Sequence, residues 1–343
     1  MKKSDLALRQ LNQTLEKFKK LRVLIVGDVG IDRYTHGVVE RISPEAPVPI
    51  VRVIEEKLKL GLAANVAENI ATFGATVDMV GLIGKDRFSE DFYKLLRSKG
   101  ISSACLIEDE SRKTIVKERV VSERQQLLRI DYEITGAISV DIEKAILKKV
   151  EKHAKTADIL IIQDYAKGML TPILMEKMME VAREHKLIVA VDPNSKSHAE
   201  LYRGCTFLTP NLREAEMLTG VKITDDHSLQ AAGRKLLEKT LAHQVVITRG
   251  KDGMAIFEKG SRQIKIIPTY AREVYDVSGA GDTVIALMTL AVSAGLKIED
   301  AAILGNLGAG VVVGKRGTAT VTGDELREAL VITQKYGRVT VVK

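Results

Sequence analysis

A repeated alternation of short apolar runs with amphipathic helical segments most constrains the fold of this 343-residue chain. The apolar runs contain few polar residues, which is typical of strands buried on both faces of a parallel sheet. We therefore predict an α/β fold with a central, mostly parallel sheet covered by helices on both faces. The predicted strands are 23–26, 77–82, 159–162, 188–191, 206–208 and 245–247, and the predicted helices are 63–73, 90–98, 141–153, 172–184 and 229–239, with further helices after residue 279.

Two stretches interrupt this alternation, at about residues 33–60 and 112–130. Each contains strand-like runs and no helical pattern. We predict that together they form a small inserted β-sheet that acts as a lid, because long insertions in α/β enzymes often close over ligands. Surface hairpins are the alternative. The predicted organisation is an N-terminal helix at 1–20, one large α/β domain at 21–335 and a C-terminal tail at 336–343.

The chain carries 52 Lys and Arg against 45 Asp and Glu, a net charge of +7. Its basic residues alternate with acidic ones along the helices, which favours solvated helix faces over a nucleic-acid partner. There is no long apolar run near the N-terminus, so we predict a cytoplasmic protein without membrane contact. The two cysteines lie far apart in the sequence, and the six histidines show no metal-ligand spacing. The positive charge suits anionic small substrates.

The segment DVSGAGDT at 276–283, followed by a helical pattern, carries the strongest chemical signal. Gly279 and Gly281 supply flexible backbone where the helix begins. Successive N–H groups at a helix N-terminus bind anions, aided by the helix dipole. Asp282 is either a general base or simply a carboxylate that favours the helix dipole. A base beside an anion-binding helix end is what phosphoryl transfer to a hydroxyl needs.

This segment resembles the second signature of the ribokinase (pfkB) family of carbohydrate kinases. Further blocks follow the family's order, namely GDVGID at 27–32, GLAANVA at 61–67, GLIGKD at 81–86, TPNLRE at 209–214 and TRG at 248–250. The resemblance runs from about residue 20 to 332. It implies a ribokinase-like fold and phosphorylation of a sugar by ATP.

The blocks RISPEAPVP at 41–49, DYAKG at 164–168 and VVVGKRGT at 311–318 are similar to one branch of this family. That branch phosphorylates D-glycero-β-D-manno-heptose 7-phosphate at the C1 hydroxyl, giving heptose 1,7-bisphosphate on the route to ADP-heptose for lipopolysaccharide. It includes the kinase half of a bifunctional kinase/adenylyltransferase. No second α/β unit follows residue 335, so we expect no adenylyltransferase activity.

The resemblance also implies roles for individual residues. Asp282 would be the general base, and the amides of Gly279, Ala280 and Gly281 would form the anion hole. The implied sugar-binding residues are Asp32, Gly61, Asn65, Asp164 and Lys167, and the implied nucleotide-binding residues are Asn211, Glu214, Thr248, Arg249, Gly250 and Asn306.

The cofactors implied by the resemblance are ATP and Mg²⁺, with Glu214 serving the metal through water or directly. A monovalent cation such as K⁺ is implied near the loops 276–282 and 311–318. Asn211 and Glu214 have the spacing of a helix cap as well, and both roles are compatible. Leu62 departs from the family, which usually has a second glycine there, and this leaves the fit of the sugar open.

A substrate phosphate needs a cationic receiver, for which the arginine fork suits best. The candidates in the lid stretches are Arg33, Arg41, Arg124 and Arg129, and the sequence does not choose among them. Pairing of the β-insertions between two chains predicts a homodimer. The alternatives to a heptose kinase are another ribokinase-family sugar or nucleoside kinase and a non-catalytic regulator that binds sugar or nucleotide.

Overall fold

The computed structural model describes residues 3–123, 125–271, 274–333 and 340–342. Along these residues helices and strands alternate through the first two thirds, as the sequence predicts. The helices are α1 (Lys3–Phe18), α2 (Ala63–Thr72), α3 (Arg87–Ser98), α4 (Val140–Ala154), α5 (Pro172–Glu184), α6 (Leu212–Thr219), α7 (Asp226–Thr240), α8 (Ala280–Ser293), α9 (Ile298–Val312) and α10 (Gly323–Thr333).

The strands belong to a central sheet, a separate lid sheet and a short pair. They are β1 (Arg22–Gly27), β2 (Val29–Ile42), β3 (Pro49–Leu62), β4 (Thr76–Val80), β5 (Leu82–Ile83), β6 (Ile107–Glu108), β7 (Ile115–Ser122), β8 (Gln125–Tyr132), β9 (Ile159–Gln163), β10 (Ile188–Asp192), β11 (Phe207–Leu208), β12 (Gln244–Thr248), β13 (Met254–Glu258), β14 (Ile264–Ile267) and β15 (Thr340–Val342).

Within the described ranges the central sheet has nine strands, in the order β15-β14-β13-β12-β11-β10-β9-β1-β4. The strands from β4 to β12 in this order run parallel to one another. The strands β13, β14 and β15 continue the sheet with antiparallel pairing. The prediction of a mostly parallel central sheet is therefore confirmed.

Alternate residues of each parallel strand pack on opposite faces of this sheet, as the two-residue period of a strand requires. Val23 and Ile25 of β1 join a core cluster formed with α1, α2, α8 and α9. Leu24 and Val26 join a second cluster formed with α4, α5, α6 and α7. Both clusters are built mainly from aliphatic side chains. Helices thus cover both faces, which explains why the strands are apolar throughout.

The lid sheet has the strand order β3-β2-β7-β8 and is separate from the central sheet. The strands β2 and β3 form a long antiparallel hairpin, and β7 and β8 form a second one. The two hairpins are joined by parallel pairing of β2 with β7, which places Asp32 beside Lys117. The predicted small β-sheet from two distant insertions is confirmed, and its strands are longer than the sequence pattern indicated.

Local capping fixes several helix starts. Asp86 accepts hydrogen bonds from the amides of Phe88 and Ser89 at the start of α3. Thr171 caps α5 ahead of Pro172, the first helical residue. Proline is favoured at this position because the N–H that it lacks would have no acceptor within the helix. These caps explain why α3 begins at Arg87, three residues before the predicted start, and why α5 begins where predicted.

Other predicted bounds differ from the structure. The single strand expected at 77–82 is two strands, because the chain turns at Gly81 and β5 pairs with β6 instead of with β1. The strands β13 and β14 and the helix α6 were not among the predicted elements. Of the tail expected at 336–343, residues 336–339 and 343 lie outside the described residues, whereas β15 pairs with β14 at the sheet edge.

Among the described residues, no helix has both the length and the apolar character required to span a bilayer.

Candidate active site

Polar side chains collect where the parallel strands end. Asp28 follows β1, Asp164 follows β9, Asp192 ends β10 and Asn211 follows β11. Carboxyl ends of parallel strands meet at one edge of a sheet, which is where open α/β sheets bind ligands. The N-terminus of α8 reaches the same edge and brings Asp282 to it, as the hydrogen bonds of that residue show.

Both carboxylate oxygens of Asp282 accept hydrogen bonds from distant parts of the chain. The amide Nδ2 of Asn65, on α2, donates to Oδ2 at 2.6 Å. The hydroxyl of Tyr165, in the loop after β9, donates to Oδ1 at 2.8 Å. Asp282 is 8% exposed. The carboxylate is therefore buried and held in one orientation.

The orientation of Asn65 is fixed in turn by its neighbours on α2 and α8. Its backbone oxygen accepts a hydrogen bond from Nδ2 of Asn69 at 2.9 Å. The hydroxyl of Thr283 donates to Oδ1 of Asn69 at 3.1 Å. Asn65, Asn69 and Thr283 are all buried. Two helices that pack against each other thus share a satisfied polar network, which holds the amide that contacts Asp282.

The helix α8 begins at a glycine that no side chain caps. Gly279 is the N-cap residue, with φ of 79°. A Cβ at this position would lie 2.9 Å from Nδ2 of Asn65, so both the backbone conformation and the close approach require glycine. A Cβ on Gly281 would meet no atom within 4 Å. The first amides of a helix have no intrahelical acceptor, and this end of α8 fits an anion, although the Ala280 amide donates to the backbone oxygen of Val277 at 3.3 Å. The predicted anion-hole role of the three amides remains a prediction.

Burial raises the pKa of the Asp282 carboxyl above its usual range, and the hydrogen bonds from Asn65 and Tyr165 oppose this effect. The charge of Lys117 opposes it as well. The ammonium of Lys117 lies 5.1 Å from the centre of the Tyr165 ring, and burial lowers the pKa of this lysine. A base with a raised pKa and a nearby cation suits proton transfer near neutral pH.

The lid sheet supplies the opposite wall of the site. Nη1 of Arg119, on β7, donates to Oδ1 of Asp32, on β2, at 2.6 Å. A Cβ on Gly61 would lie 3.1 Å from Cγ of Asp32, so this glycine leaves room beside the carboxylate. The structure therefore brings Asp32 and Gly61, both predicted to bind the sugar, together on adjacent strands. Their role in binding remains a prediction.

Leu62, which replaces the usual second glycine, has a φ of 59°. With a ψ of −138°, this is a positive-φ conformation that strongly favours glycine, and it costs a non-glycine residue roughly 1–3 kcal/mol. The side chain is buried, and its Cδ1 lies 3.2 Å from where a Cβ on Gly30 would stand. The backbone conformation expected of glycine is thus retained, and the leucine side chain packs at the base of the lid.

Asp164 and Lys167 are engaged with the protein itself. The two oxygens of Asp164 accept hydrogen bonds from the Ala166 amide at 2.7 Å and from the hydroxyls of Ser197 and Tyr202, both at 2.6 Å. Nζ of Lys167 lies 2.6 Å from Oε1 of Glu133. These contacts shape the loop that positions Tyr165. The predicted contacts of Asp164 and Lys167 with substrate are not tested by them.

The loop also contacts Asp28, whose Oδ2 accepts a hydrogen bond from the Lys167 amide at 3.3 Å. Burial raises the pKa of Asp28 to about 6, and the charge of Asp164 adds to the effect. Asp28 lies directly after β1, at the level of the other strand-end residues. It is a further carboxyl group at this edge that titrates well above the usual range for aspartate.

The residues predicted to bind nucleotide lie after β11 and β12. Asn211 and Glu214 form a capping box at the start of α6, with hydrogen bonds of 3.0 and 2.8 Å. Thr248 forms a β-bridge with Asn211. Arg249 lies 3.9 Å from Asp226 and is followed by Gly250, which has φ of 58°. The helix-cap role of Asn211 and Glu214 is confirmed, and their nucleotide role remains a prediction.

Carboxylates at this end of the sheet raise one another's pKa. Burial and the charge of Asp164 raise the pKa of Glu214. Burial together with the charges of Glu214 and Asp282 holds the pKa of Asp192 well above its usual range. A hard divalent cation prefers such oxygen ligands and would relieve this repulsion. Asp192 and Glu214 are therefore candidate carboxylates for a Mg²⁺ ion, and the metal role of Glu214 remains a prediction.

Asn306, on α9, is buried, and its Nδ2 donates to the backbone oxygen of Pro268 at 2.7 Å. A cavity of about 340 Å³ lies between α9 and α10, and Tyr270, Leu307 and Gly310 are among its lining residues. Asn306 thus positions the chain that borders this cavity.

The loops predicted to hold a monovalent cation are in contact. Oδ1 of Asp276 accepts a hydrogen bond from the Ser278 amide at 2.9 Å, and its Oδ2 accepts one from the Gly317 amide at 3.0 Å. The backbone amides of Tyr275 and Asp276 both donate to the backbone oxygen of Val313. The 276–282 and 311–318 segments are therefore one unit next to the start of α8. The predicted cation itself remains untested.

Of the arginines proposed as phosphate receivers, the three that the structure describes do not converge. Arg33 lies 2.6 Å from Glu56 and 3.6 Å from Glu118, and Arg129 pairs with Asp131 at 2.9 Å. Arg41 is exposed near the outer end of β2. Arg124 lies outside the described residues.

Sequence reasoning missed Tyr165, Lys117, Arg119 and Asp192. Asp192 could have been found, since it follows a predicted apolar strand, as Asp164 does. Lys117 and Arg119 depend on the pairing of β2 with β7, which no local pattern reveals.

A buried carboxylate in the first turn of a helix, at the carboxyl edge of a parallel sheet and under a β lid, fits a phosphotransferase of the sugar-kinase class. Residues 21–324 match the family described as pfkB family carbohydrate kinase. The chain belongs to this family, and the expected ribokinase-like fold is confirmed.

Curated relatives support this placement. The bifunctional protein HldE of Geobacter sulfurreducens is 42% identical over 306 residues, which cover 89% of this chain and 62% of that protein. The bifunctional protein HldE of Aliarcobacter butzleri is 43% identical over 310 residues, which cover 90% of this chain and 64% of that protein. The expected similarity to the bifunctional kinase is confirmed by these names. This chain spans less than two thirds of the length of either relative.

Solved structures share the fold at low identity. Phosphofructokinase-2 from Escherichia coli, in complex with potassium, has a TM-score of 0.77 at 19% identity, over 92% of this chain and 99% of that one. Arabidopsis thaliana ribokinase, complexed with ribose and ATP, has a TM-score of 0.72 at 18% identity, over 90% of this chain and 98% of that one.

Proposed function

We propose that the protein transfers the γ-phosphoryl group of ATP to the C1 hydroxyl of D-glycero-D-manno-heptose 7-phosphate, giving heptose 1,7-bisphosphate. The observation that carries the proposal is the Asp282 carboxylate held by Asn65 and Tyr165 beside the open N-terminus of α8. The choice of heptose is supported by the blocks at 41–49 and 164–168 and by the relatives named HldE.

In this reaction Asp282 accepts the proton of the sugar hydroxyl as its oxygen attacks the γ-phosphorus. The new O–P bond forms as the bond between the γ-phosphorus and the bridging oxygen breaks, and ADP leaves. The amides of Gly279, Ala280 and Gly281 stabilise the charge on the transferring group. Mg²⁺, held near Asp192 and Glu214, would neutralise the phosphate oxygens of ATP. Asp32, hydrogen bonded to Arg119, would bind sugar hydroxyls.

The 7-phosphate of the substrate would lie in a cavity of about 760 Å³ between the lid and the loops around Asp276 and Gly317. Arg119 faces this cavity, and its guanidinium also lies over the Tyr34 ring at 5.3 Å. Phosphate groups are bound well by several convergent cations. The basic residues that line the cavity are Lys57, Lys59, Arg119 and Arg316.

The direct test is ADP release from MgATP with a panel of acceptors, namely heptose 7-phosphate, fructose 6-phosphate and ribose, with a sugar-free control for ATP hydrolysis. We expect kcat/KM for heptose 7-phosphate to exceed the others by at least about a hundredfold, a discrimination that requires several placed polar contacts. Phosphorus NMR of the product locates the new ester. Preference for another sugar would identify a different pfkB kinase, and no ADP with any acceptor would indicate a binding protein.

Replacing Tyr165 with phenylalanine removes the hydrogen bond to Oδ1 of Asp282. A hydrogen bond to a charged group contributes roughly 1.5–3 kcal/mol, so kcat should fall about tenfold or more. Because this bond lowers the pKa of Asp282, its loss raises that pKa further. A base is active when deprotonated, so activity disappears as the pH falls through its pKa. The acid limb of the pH–rate profile should therefore move to higher pH.

Tyr93→Phe is the matched control, since its hydroxyl donates to Glu108 on the protein surface at 3.1 Å. Its profile should equal that of the wild type. An unshifted acid limb in the Tyr165→Phe variant would mean that another group limits the rate at low pH.

A homodimer is also proposed, through the outer part of the lid. Aliphatic side chains there are exposed, which is unusual for a lone sheet in water. They are Ile42, Val48, Val53, Ile54, Leu128 and Ile130. Sedimentation equilibrium should give twice the chain mass. A monomer at micromolar concentration would rule the proposal out.

A further inference from the structure

Asp78, Cys105 and His153 meet on the face of the central sheet covered by α4. Asp78 is on β4, Cys105 precedes β6, and His153 is in the last turn of α4. Asp78 is paired in register with Leu24 of β1. The site lies away from the carboxyl edge of the sheet, and phosphoryl transfer as described above uses none of the three side chains.

Their contacts are close. Oδ2 of Asp78 lies 2.9 Å from Nδ1 of His153, and Sγ of Cys105 lies 3.2 Å from Nε2 of the same ring. One ligand atom from each residue lies within 4.8 Å of the other two. Two ligands on a tetrahedral zinc ion are roughly 3.3–3.8 Å apart. The three side chains are therefore near the separations that a single ion requires.

We propose that Asp78, Cys105 and His153 bind a divalent ion of the zinc class. Thiolate, imidazole and carboxylate together are a donor set that suits Zn²⁺ and does not suit Mg²⁺. The imidazole now lies between the thiol and the carboxylate, with one nitrogen toward each. Binding requires the ring to turn so that one nitrogen faces a point between Sγ and the carboxylate oxygen.

The burial of the three groups is consistent with such a site. Cys105 is 1% exposed, at the inner end of the cluster. The side chains of His153 and Asp78 are 18% and 19% exposed, so an ion can enter from their side and keep a water as its fourth ligand. Each ligand is carried by a different element, and binding would join β4, α4 and the segment before β6.

The charges of the three ligands are compatible with a bound divalent ion. Binding replaces the thiol proton of Cys105, which is released to solvent, and the ion then neutralises one thiolate and one carboxylate. Burial and the charge of Asp78 raise the pKa of this thiol, while the charges of Lys149 and Lys152 lower it. Nη2 of Arg22 is 4.0 Å from Asp78, and Nζ of Lys149 donates to the backbone oxygen of Ala104. These three cations lie around the rim and weaken binding, and Arg22 faces the same Oδ2 of Asp78 that lies beside His153.

The test uses the full chain, freed of metal by a chelator and titrated with Co²⁺, whose thiolate complexes show a charge-transfer band in the near ultraviolet. We expect the band to saturate at one Co²⁺ per chain and to disappear when Zn²⁺ is added. Cys105→Ser should abolish the band. His153→Gln, a change at the partly exposed rim, should weaken Co²⁺ binding at least tenfold.

Cys205→Ser is the matched control, because Cys205 is equally buried and burial raises the pKa of its thiol to about 12. This variant should keep the band. The thermal midpoint should rise with Zn²⁺ in the wild type and in Cys205→Ser, and not in Cys105→Ser. No thiolate band in the wild type, or the same band in Cys105→Ser, would overturn the proposal and leave a hydrogen-bonded cluster. Cobalt held by ATP or by carboxylates gives no thiolate band, so the outcome is independent of kinase activity.

Discussion

Asp282→Asn is expected to lower kcat by about 10²–10⁴-fold, the range that a general base supplies, while ATP binding is retained. The asparagine amide cannot accept the proton of the sugar hydroxyl. Both oxygens of Asp282 accept hydrogen bonds in the wild type, so the new NH₂ group would also face a donor, either Asn65 or Tyr165. Coupled ADP release and calorimetric titration with ATP measure the two effects separately.

Asp300→Asn provides the matched control. Asp300 lies in the first turn of α9, as Asp282 does in α8, but it is exposed to solvent. It should leave kcat unchanged. If Asp282→Asn retained more than a tenth of wild-type activity, Asp282 would be a helix-dipole residue and the base would have to be sought elsewhere.

Gly279→Ala is expected to have the second-largest effect. The methyl group would lie 2.9 Å from Nδ2 of Asn65 and would push this amide away from Asp282. A displacement of about 1 Å in a catalytic group can reduce the rate about a hundredfold. The φ of 79° adds strain of roughly 1–2 kcal/mol to the folded state. We expect kcat to fall at least tenfold, together with a modest loss of stability in urea.

Gly295→Ala separates these two effects. Gly295 follows the other end of α8, has φ of 92°, and a Cβ there would meet no atom within 4 Å. It should lose similar stability and keep its activity. Equal losses of activity in both variants would mean that general destabilisation, and not the displacement of Asn65, lowers the rate.

Most of the fold could be predicted because its signal is local. The strand β9 is recognisable from four consecutive apolar residues, and the helix α5 from its Thr-Pro start. The strands β13 and β14 were missed because they follow β12 without an intervening helix and extend the sheet in the antiparallel sense. A rule based on strand–helix alternation does not apply to such an edge.

In the candidate site, too, single residues could be predicted from local sequence, whereas contacts between distant segments could not. Asp282 and Asn65 were predicted one by one, from a motif and from a resemblance, whereas their 2.6 Å hydrogen bond joins residues far apart in the sequence. The pairing of Asp32 with Arg119 depends on the register of two strands from separate insertions. The sequence offered four lid arginines as equal candidates for binding the substrate phosphate, because it does not show which acidic neighbour each one pairs with.

The packing of α8 has a consequence for hydrogen exchange. Every residue from Asp282 to Ala291 is buried, whereas most of β8 in the lid is exposed. Amides of α8 should therefore exchange only through global unfolding, and those of the lid through smaller local openings. Local opening of the exposed edge strand β8 would leave the Asp282 network intact, because Asn65 and Tyr165 lie outside the lid. The carboxylate of Asp282 can then keep its orientation through repeated openings of the lid.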